Sequence, residues 1–395
     1  MARQRTDAEQ QIADLLHTAR KSLRLSVAFL SRLDGTTQHL EVVDSAIPVL
    51  FSDGMTQRQE TSFCQAIIDG RLPAVIPDVK AFPEAMKLPT AKIPRIRSYV
   101  SAPVVLSDGS LYGTFCAFGL TSDKELTTRD KTLMDVLASA AAVIVEPGVR
   151  SQQERTEIET RLGPVMAAGG PVIAVQPIVD LSTGYRVGVE ALSRFPAEWG
   201  KAPDVVFAEA HGIGAGHRLE LLALQRAAEV LADIDGYVSM NVSPGTLLTA
   251  ACQALLARLP LDRVLLELSE HDQVEDYDAL DTALAPLRRA GLRLAIDDVG
   301  AGFSSLRHIV VTSPDVIKID RSIVTGVHED PVLAKLVHSL VEFAHGCDVQ
   351  VVAEGVETAA EDVVLRTLGV DYGQGWQFGR PGPVDALRPA AALTA

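Results

Sequence analysis

The spacing of apolar residues changes character once along the chain. Near the start, Ile12, Leu15, Leu16, Ala19 and Leu23 recur at helical intervals and predict an amphipathic helix. Two hairpins follow. The run LSVAFLSRL meets Asp34-Gly35 and continues into HLEVVDSA; SYVSAPVVL turns at Ser107-Asp108-Gly109-Ser110 into LYGTFCAFGL. Asp-Gly between alternating segments favours a tight antiparallel turn. Between the hairpins lie a helical segment, TSFCQAIIDG, and a Pro-rich irregular stretch, residues 72–94, of a length that often covers a ligand. A helix over about residues 127–145 closes this part, with Thr127 and Asp130 spaced as a capping box and Pro147-Gly148 as its stop. The polar stretch RSQQERTEIETR then reads as a connector.

From about residue 171, short apolar strands alternate with helix-length segments: VIAVQPIV, VGVEAL, YVSMNVS, VLLELS, LRLAID, VIKID, VQVVAEG and YGQGWQF. Strands joined by crossovers of that kind pair in parallel. About eight strands in roughly 225 residues is the count and length of an α/β fold of the (β/α)8, TIM-like barrel type. An open doubly wound sheet satisfies the same arithmetic. The expected division is an α+β domain with an antiparallel sheet over 8–146, a linker over 147–170, and a barrel over 171–395.

Composition narrows the function. A 395-residue chain with 47% hydrophobic residues supplies real cores, which excludes general disorder. Its 51 acids against 36 bases give a net charge of −15, the wrong sign for gripping a polynucleotide through a general field. A small phosphate-bearing ligand needs only local positive charge and stays open. The cysteines Cys64, Cys116, Cys252 and Cys347 are far apart and form no CxxC, so neither a zinc cluster nor a disulfide scaffold is indicated. They fit a reduced, cytoplasmic setting. The N-terminus lacks an apolar leader region, and no apolar run approaches the ~18 residues of a span, so no membrane association is expected.

The candidate chemistry lies where the barrel strands end. Glu190 ends VGVE, Asn241 ends YVSMN, and Glu267 and Glu270 sit in VLLELSE. Asp297 and Asp298 end LRLAIDD, Lys318 lies in VIKID, and Glu354 and Glu357 lie in VVAEGVE. Strand C-terminal ends are where barrels place their chemistry. Carboxylates converging there repel one another, and one Lys with a nearby Arg cannot neutralise so many. Divalent cations can. The set is oxygen-only, without His or Cys, which favours Mg2+ or Mn2+ over zinc or copper. Adjacent carboxylates such as Asp297 and Asp298 suit two metals ~3.5–4 Å apart, an arrangement that cleaves phosphodiesters.

These residues carry a family resemblance. QPIVDL, EALSRF, NVSP, ELSE, DDVGAGFSSL, IKID, AEGVET and GQGWQFGRP stand in the order of the EAL domain of bacterial cyclic-di-GMP phosphodiesterases, with Glu190-Ala191-Leu192 as the name motif. The resemblance implies a hydrolase that opens cyclic di-GMP to linear pGpG with two bound Mg2+ or Mn2+ ions. It implies Glu190, Asn241, Glu267 and Asp297 as ligands of one metal, and Asp298 and Glu354 at the second, with Glu354 also read as a general base. Lys318 would meet the attacking water and the phosphate, and Arg194, Leu192 and Gln176 would contact substrate. Glu270 would anchor the loop after the fifth strand, Gln374 would position water or substrate, and Glu357 would support the site. The loop departs from the usual form at Val299, where Phe is common, and at Ala301, where Thr is common, while Gly300 and Gly302 remain. Trp376 stands where Tyr is more usual. The competing reading is a receptor that holds cyclic di-GMP without cutting it.

The first domain resembles a GAF sensory domain on SFCQAIIDGRLPAVIPD, IRSYVSAPVVLSDGSLYGTFCAF and the closing helix. An unknown small ligand is consistent with that resemblance. A bilin is not, because Cys64 precedes Gln65 and Cys116 precedes Ala117 where a Cys-His pair is typical. Both cysteines are expected as buried thiols, and His17 and His39 as surface or packing residues. Gly212, Gly214 and Gly216 follow a helical segment and lack a nucleotide loop's spacing, so they read as a loop. The stripe Leu133, Val136, Leu137, Ala140, Val143 and Ile144 serves equally to join two subunits or to pack on its own sheet. The resemblance favours a homodimer.

Overall fold

The computed structural model describes residues 5–47, 51–91, 95–269, 274, 276–300 and 311–387. The chain divides into two compact units, Met1–Glu154 and Arg155–Ala395.

In the first unit the opening amphipathic segment forms the helix Asp7–Ser22, started by a capping box between Thr6 and Glu9 and burying Ile12, Ala13, Leu16 and Ala19. The strands are β1 (Val27–Leu33), β2 (Thr37–Ser45), β3 (Thr56–Arg58), β4 (Val75–Ile76), β5 (Ser98–Val105) and β6 (Leu111–Gly119). They make one antiparallel sheet in the order β3-β2-β1-β6-β5-β4. Both predicted hairpins are present, and β1 and β6 join them. Side chains alternate across a strand, and β6 shows the result: Phe115 and Ala117 enter one core, Cys116 and Phe118 the other. His17 and His39 face the carboxylates of Asp44 and Asp34.

The closing helix departs from expectation. It runs as one element, Thr128–Ala167, straight through Pro147-Gly148. An interior proline forfeits a backbone hydrogen bond and costs roughly 3 kcal/mol, yet does not forbid a long helix. Glu146 and Arg150 bridge the site one turn apart, both bonded to the Ser107 side chain. The actual stop is Gly169-Gly170, both with left-handed φ of +90° and +113°. This helix is also long and apolar enough, by length and composition alone, to cross a membrane, a segment the apolar-run reading did not foresee. Met134, Leu137, Ala138 and Ala141 pack into the sheet's core, whereas Val136 and Val143 from the predicted stripe are exposed.

The second unit is a closed barrel. Its strands are β7 (Val172–Asp180), β8 (Arg186–Arg194), β9 (Tyr237–Asn241), β10 (Val264–Ser269), β11 (Arg293–Val299), β12 (Val316–Ile319), β13 (Gln350–Ala353) and β14 (Tyr372–Gln374), ordered β10-β11-β12-β13-β14-β7-β8-β9. All eight predicted strands form. Parallel pairing fails at one: β7 runs antiparallel to both β8 and β14. Only residues 181–185 separate β7 from β8, too few for a crossover, and Asp180 closes the turn by accepting the N–H groups of Ser182 and Thr183. Gly212 ends the helix Pro203–Gly212, Gly216 begins the helix Gly216–Glu229, and Gly214 lies in the turn between them.

Period-2 alternation stacks the lumen in layers. Ile178, Tyr237, Leu265, Ala295, Val316 and Val352 form an apolar floor. Gly188 lacks a Cβ because one would sit 2.8 Å from the Tyr237 ring. Two residues further toward the mouth on the same strands stand Gln176, Ser239, Glu267, Asp297, Lys318 and Glu354, with Glu190 two beyond Gly188. A hydrocarbon floor therefore carries a polar layer.

Candidate active site

Lys318 is the hub of that layer. Its side chain is 1% exposed, and Nζ lies 2.6 Å from Glu354 Oε1, 2.9 Å from Glu267 Oε1, 3.2 Å from Asp297 Oδ1 and 3.6 Å from Glu190 Oε2. Strand register brings the rest in. Glu190 pairs with Ser239 across β8 and β9, and Asn241 pairs with Glu267 across β9 and β10. Asn241 Nδ2 donates to Glu190 Oε1 at 3.1 Å, and Ser239 Oγ donates to Glu267 Oε1 at 2.5 Å. Gln374 Nε2 donates to Glu190 and, at 3.1 Å, to Gln176 Oε1, while Gln176 Nε2 holds the Gly379 carbonyl.

Asp297 and Asp298 reach the same place by a bulge. Between Ile296↔Ile317 and Val299↔Ile319, β11 carries one residue more than β12. Asp298 takes a left-handed φ of +59°, and its N–H donates to Asp297 Oδ1 at 2.9 Å. Without the bulge, adjacent side chains would face opposite sides of the barrel wall. With it, the ligand oxygens of Asp297, Asp298 and Glu354 lie within 4.8 Å of one another, as do those of Glu190, Glu267 and Asp297. The two groups share Asp297.

The protonation of this cluster is set by burial and crowding. Burial, reinforced by Glu190, drives the Glu267 carboxyl well above its usual range, and burial also raises Asp297 against the pull of Lys318. Burial pushes Glu354 up to about 8, with Asp297 and Glu190 adding repulsion. Glu190 goes the other way: burial opposes its ionisation, but Lys318, Gln374 and Asn241 hold it below the usual range. Burial would neutralise Lys318; Asp297, Glu190, Glu267 and Glu354 together keep it charged well past its ordinary value. A single ammonium leaves several carboxyl groups short of compensation. Glu267 Oε2 is a buried oxygen with no hydrogen-bond partner among the described residues, so an oxygen-seeking cation fits this donor set.

Beside the cluster opens a cavity of about 360 Å³, lined by Leu192, Arg194, Asn241, Ser243, Glu267 and Ser269 among others. Arg194 and Leu192 line this cavity, and Gln374 donates to both Glu190 and Gln176. Glu357 stands apart: it is exposed, and its N–H is held by Glu361 Oε2. Glu270, Ala301 and Gly302 lie outside the described residues. Val299 is fully buried in the barrel's outer core, and Gly300, at φ +101°, has no room for a Cβ beside Ile323 Cδ1. Trp376 is half exposed, with the Arg380 guanidinium 4.2 Å above its ring.

Sequence reasoning missed two supports. Ser239 carried a signal, since it lies two residues before Asn241 on the same strand face. Glu220 carried none: buried in the helix Gly216–Glu229, it accepts from Ser243 N–H and Oγ at 3.0 and 2.7 Å and pairs with His211. It thereby fixes the backbone just after Asn241.

A family model described as the EAL domain matches residues 163–381, and one described as the GAF domain matches residues 7–145. A protein of Azorhizobium caulinodans named only as uncharacterized is 32% identical over 253 residues, covering 59% of this chain and 34% of that protein. The probable cyclic di-GMP phosphodiesterase PdeB of Escherichia coli K12 is 31% identical over 221 residues, covering 53% of this chain and 42% of PdeB. This chain thus spans between a third and a half of the length of these curated relatives. The solved structure of the PaMucR phosphodiesterase in complex with c-di-GMP superposes with a TM-score of 0.53 at 27% identity, over 59% of this chain and 100% of that one. The EAL match runs over more than half of the chain and takes in every strand of the barrel, and the protein belongs to the EAL domain family.

Proposed function

We propose that this chain is a metal-dependent phosphodiesterase that opens cyclic di-GMP to linear pGpG. The observation that carries the reading is the pair of carboxylate groups sharing Asp297 around one buried lysine. PdeB is named a probable cyclic di-GMP phosphodiesterase and the PaMucR structure is a c-di-GMP complex, which supports the same substrate.

Glu190, Asn241, Glu267 and Asp297 would hold one cation, and Asp298 with Glu354 the other, with Mg2+ or Mn2+ matching oxygen donors. When bound, such a pair lowers the pKa of a coordinated water and neutralises charge on the phosphoryl oxygens. The protein's own groups do the rest. Lys318 supplies a fixed positive charge at the water and phosphate. Glu354, 2.6 Å from Lys318 Nζ, is the carboxylate assigned to take a proton. Arg194 offers a planar fork to a phosphate at the cavity wall, where Leu192 packs beside the ligand. Gln374 and Gln176 keep Glu190 in one orientation. Glu357 is assigned a supporting part, and Glu270, which lies outside the described residues, the anchoring of the loop after the fifth strand. The first unit acts as the sensory, regulating part with a small-molecule ligand, and the working protein is a homodimer.

The test is incubation of the purified protein with cyclic di-GMP and Mn2+ or Mg2+, separating products by chromatography beside Glu190→Ala. Linear pGpG from the parent alone supports the reading. Substrate bound but left intact by the metal-loaded parent would make the chain a receptor instead.

A further inference from the structure

One of the two cores flanking the first unit's sheet holds two sulfurs in contact. Cys64 lies in the helix Phe63–Ile68 and Cys116 in β6, with Sγ atoms 3.4 Å apart and exposures of 1% and 0%. Thiols that merely fill space need no polar company. These have a good deal. Gln38 Nε2 donates to Cys64 Sγ at 2.9 Å, the Tyr99 hydroxyl lies 3.1 Å from the same sulfur, and Ser101 Oγ lies 3.2 Å from Cys116 Sγ. Gln38 and Ser101 are themselves buried, polar groups placed at a cost in an apolar core.

We propose that Cys64 and Cys116 are a reversible dithiol–disulfide couple, a site of oxidation by hydroperoxides. A cavity of about 260 Å³ lies nearby, lined by Phe63, which adjoins Cys64 in the chain, and by Gln57, Tyr99 and Phe118. Tyr99 carries its hydroxyl from that cavity to Cys64, and Gln57 Nε2 donates to Gln38 Oε1 at 2.6 Å, continuing to the same sulfur. The geometry makes Cys64 the attacking group, since its Sγ is contacted by both Gln38 Nε2 and the Tyr99 hydroxyl, whereas Cys116 Sγ meets Ser101 Oγ. Burial alone would raise its thiol, but hydrogen bonds from Cys116, Thr114, Tyr99 and Gln38 outweigh burial and bring it down to about 6, whereas burial and Cys64 drive Cys116 up. The thiolate is the nucleophile.

With hydrogen peroxide, the Cys64 thiolate bonds to one peroxide oxygen, the O–O bond breaks, and the other oxygen leaves as water after taking a proton. The sulfenic acid then meets Cys116 at contact distance. The S–S bond forms, the S–O bond breaks, and the departing hydroxide leaves as water with the Cys116 proton. Two thiols lose two protons and two electrons, and one peroxide takes them up to become two waters.

The experiment uses the full chain, reduced and then exposed to hydrogen peroxide, unfolded in iodoacetamide, and digested without reductant for mass spectrometry. The expected product is a Cys64–Cys116 linked peptide pair, two hydrogens lighter than the thiols and reversed by dithiothreitol, with buried Cys252 still alkylated. Exposed Cys347 serves as the control for nonspecific oxidation. Alkylation of Cys64 and Cys116 under conditions that oxidise Cys347 would overturn the proposal. In Cys116→Ser, dimedone should label Cys64, because the second step is blocked. Labelling at Cys347 with none at Cys64 would also overturn it, and the parent's linked peptide keeps the test valid if the variant misfolds.

Discussion

Lys318 Nζ and Glu267 Oε1 meet at 2.9 Å with neither side chain more than 1% exposed. Water contributes little to either group, so the ammonium keeps its charge because of the carboxyl groups around it. Removing the lysine strips three further carboxylates of the same partner. In chelator at neutral pH, Lys318→Met should lose about 3–5 kcal/mol of unfolding free energy. Urea denaturation measures it. Added Mn2+ should narrow the gap, since a cation replaces the missing charge; a variant as stable as the parent in chelator would contradict this account.

The metal-free protein should lose stability as pH rises. Glu354 is raised to about 8 against an ordinary 4.5, so the folded state binds a proton the unfolded state has released across that window. Its contribution is complete below 4.5 and gone above about 8. Glu267 and Asp297, also raised, act in the same direction. Glu190, which is lowered, contributes only on the acid side, and Lys318 titrates above its ordinary 10.5. A melting temperature flat between pH 5 and 8 in chelator would contradict this.

Cation binding should stabilise the parent by about 2.7 kcal/mol at a hundred times Kd. Glu267→Gln and Asp298→Asn each belong to one carboxylate group only. Each should therefore weaken one binding event in a Mn2+ titration followed by calorimetry. Equal loss of all binding in both would argue against two sites.

Ser239→Ala should cost about 1 kcal/mol, the loss of one hydrogen bond to an oxygen that keeps Lys318 as its remaining partner. The hydroxyl is a donor at 2.5 Å to Glu267 Oε1, and the other oxygen of that carboxyl has no hydrogen-bond partner among the described residues. Ser239→Thr, which keeps the hydroxyl, should recover part of it.

Gly375→Ala should lose about 1–3 kcal/mol by overpacking. A Cβ there would stand 2.1 Å from the Val356 carbonyl oxygen and 2.3 Å from its nitrogen. Those backbone atoms lie two residues from Glu354, so activity should fall together with thermal stability.

Much of this was legible in the sequence because strands display polar groups with period 2, and the acids and Lys318 interrupt otherwise apolar runs. Three features resisted for physical reasons. The reversal of β7 was decided by a turn of five residues, overlooked because neighbouring strands all have crossovers. The helix Thr128–Ala167 continues through Pro147-Gly148 because packing and the Glu146–Arg150 pair offset a local breaker. The bulge at Asp298 is invisible to alternation, since it is the point where alternation fails.

The reversal of β7 also decides where the chain is admitted to the barrel. An antiparallel first strand starts at the rim where its neighbours end, so Val172 and the helix ending at Ala167 arrive beside the acids rather than beneath the floor. The last turns of that helix bury Leu162 against Val206, Ala210 and Leu219, on elements whose Pro203, Phe207 and Glu220 line the cavity. The polypeptide therefore enters the barrel on the rim that carries the acids, and its entry segment packs against the elements that wall the cavity.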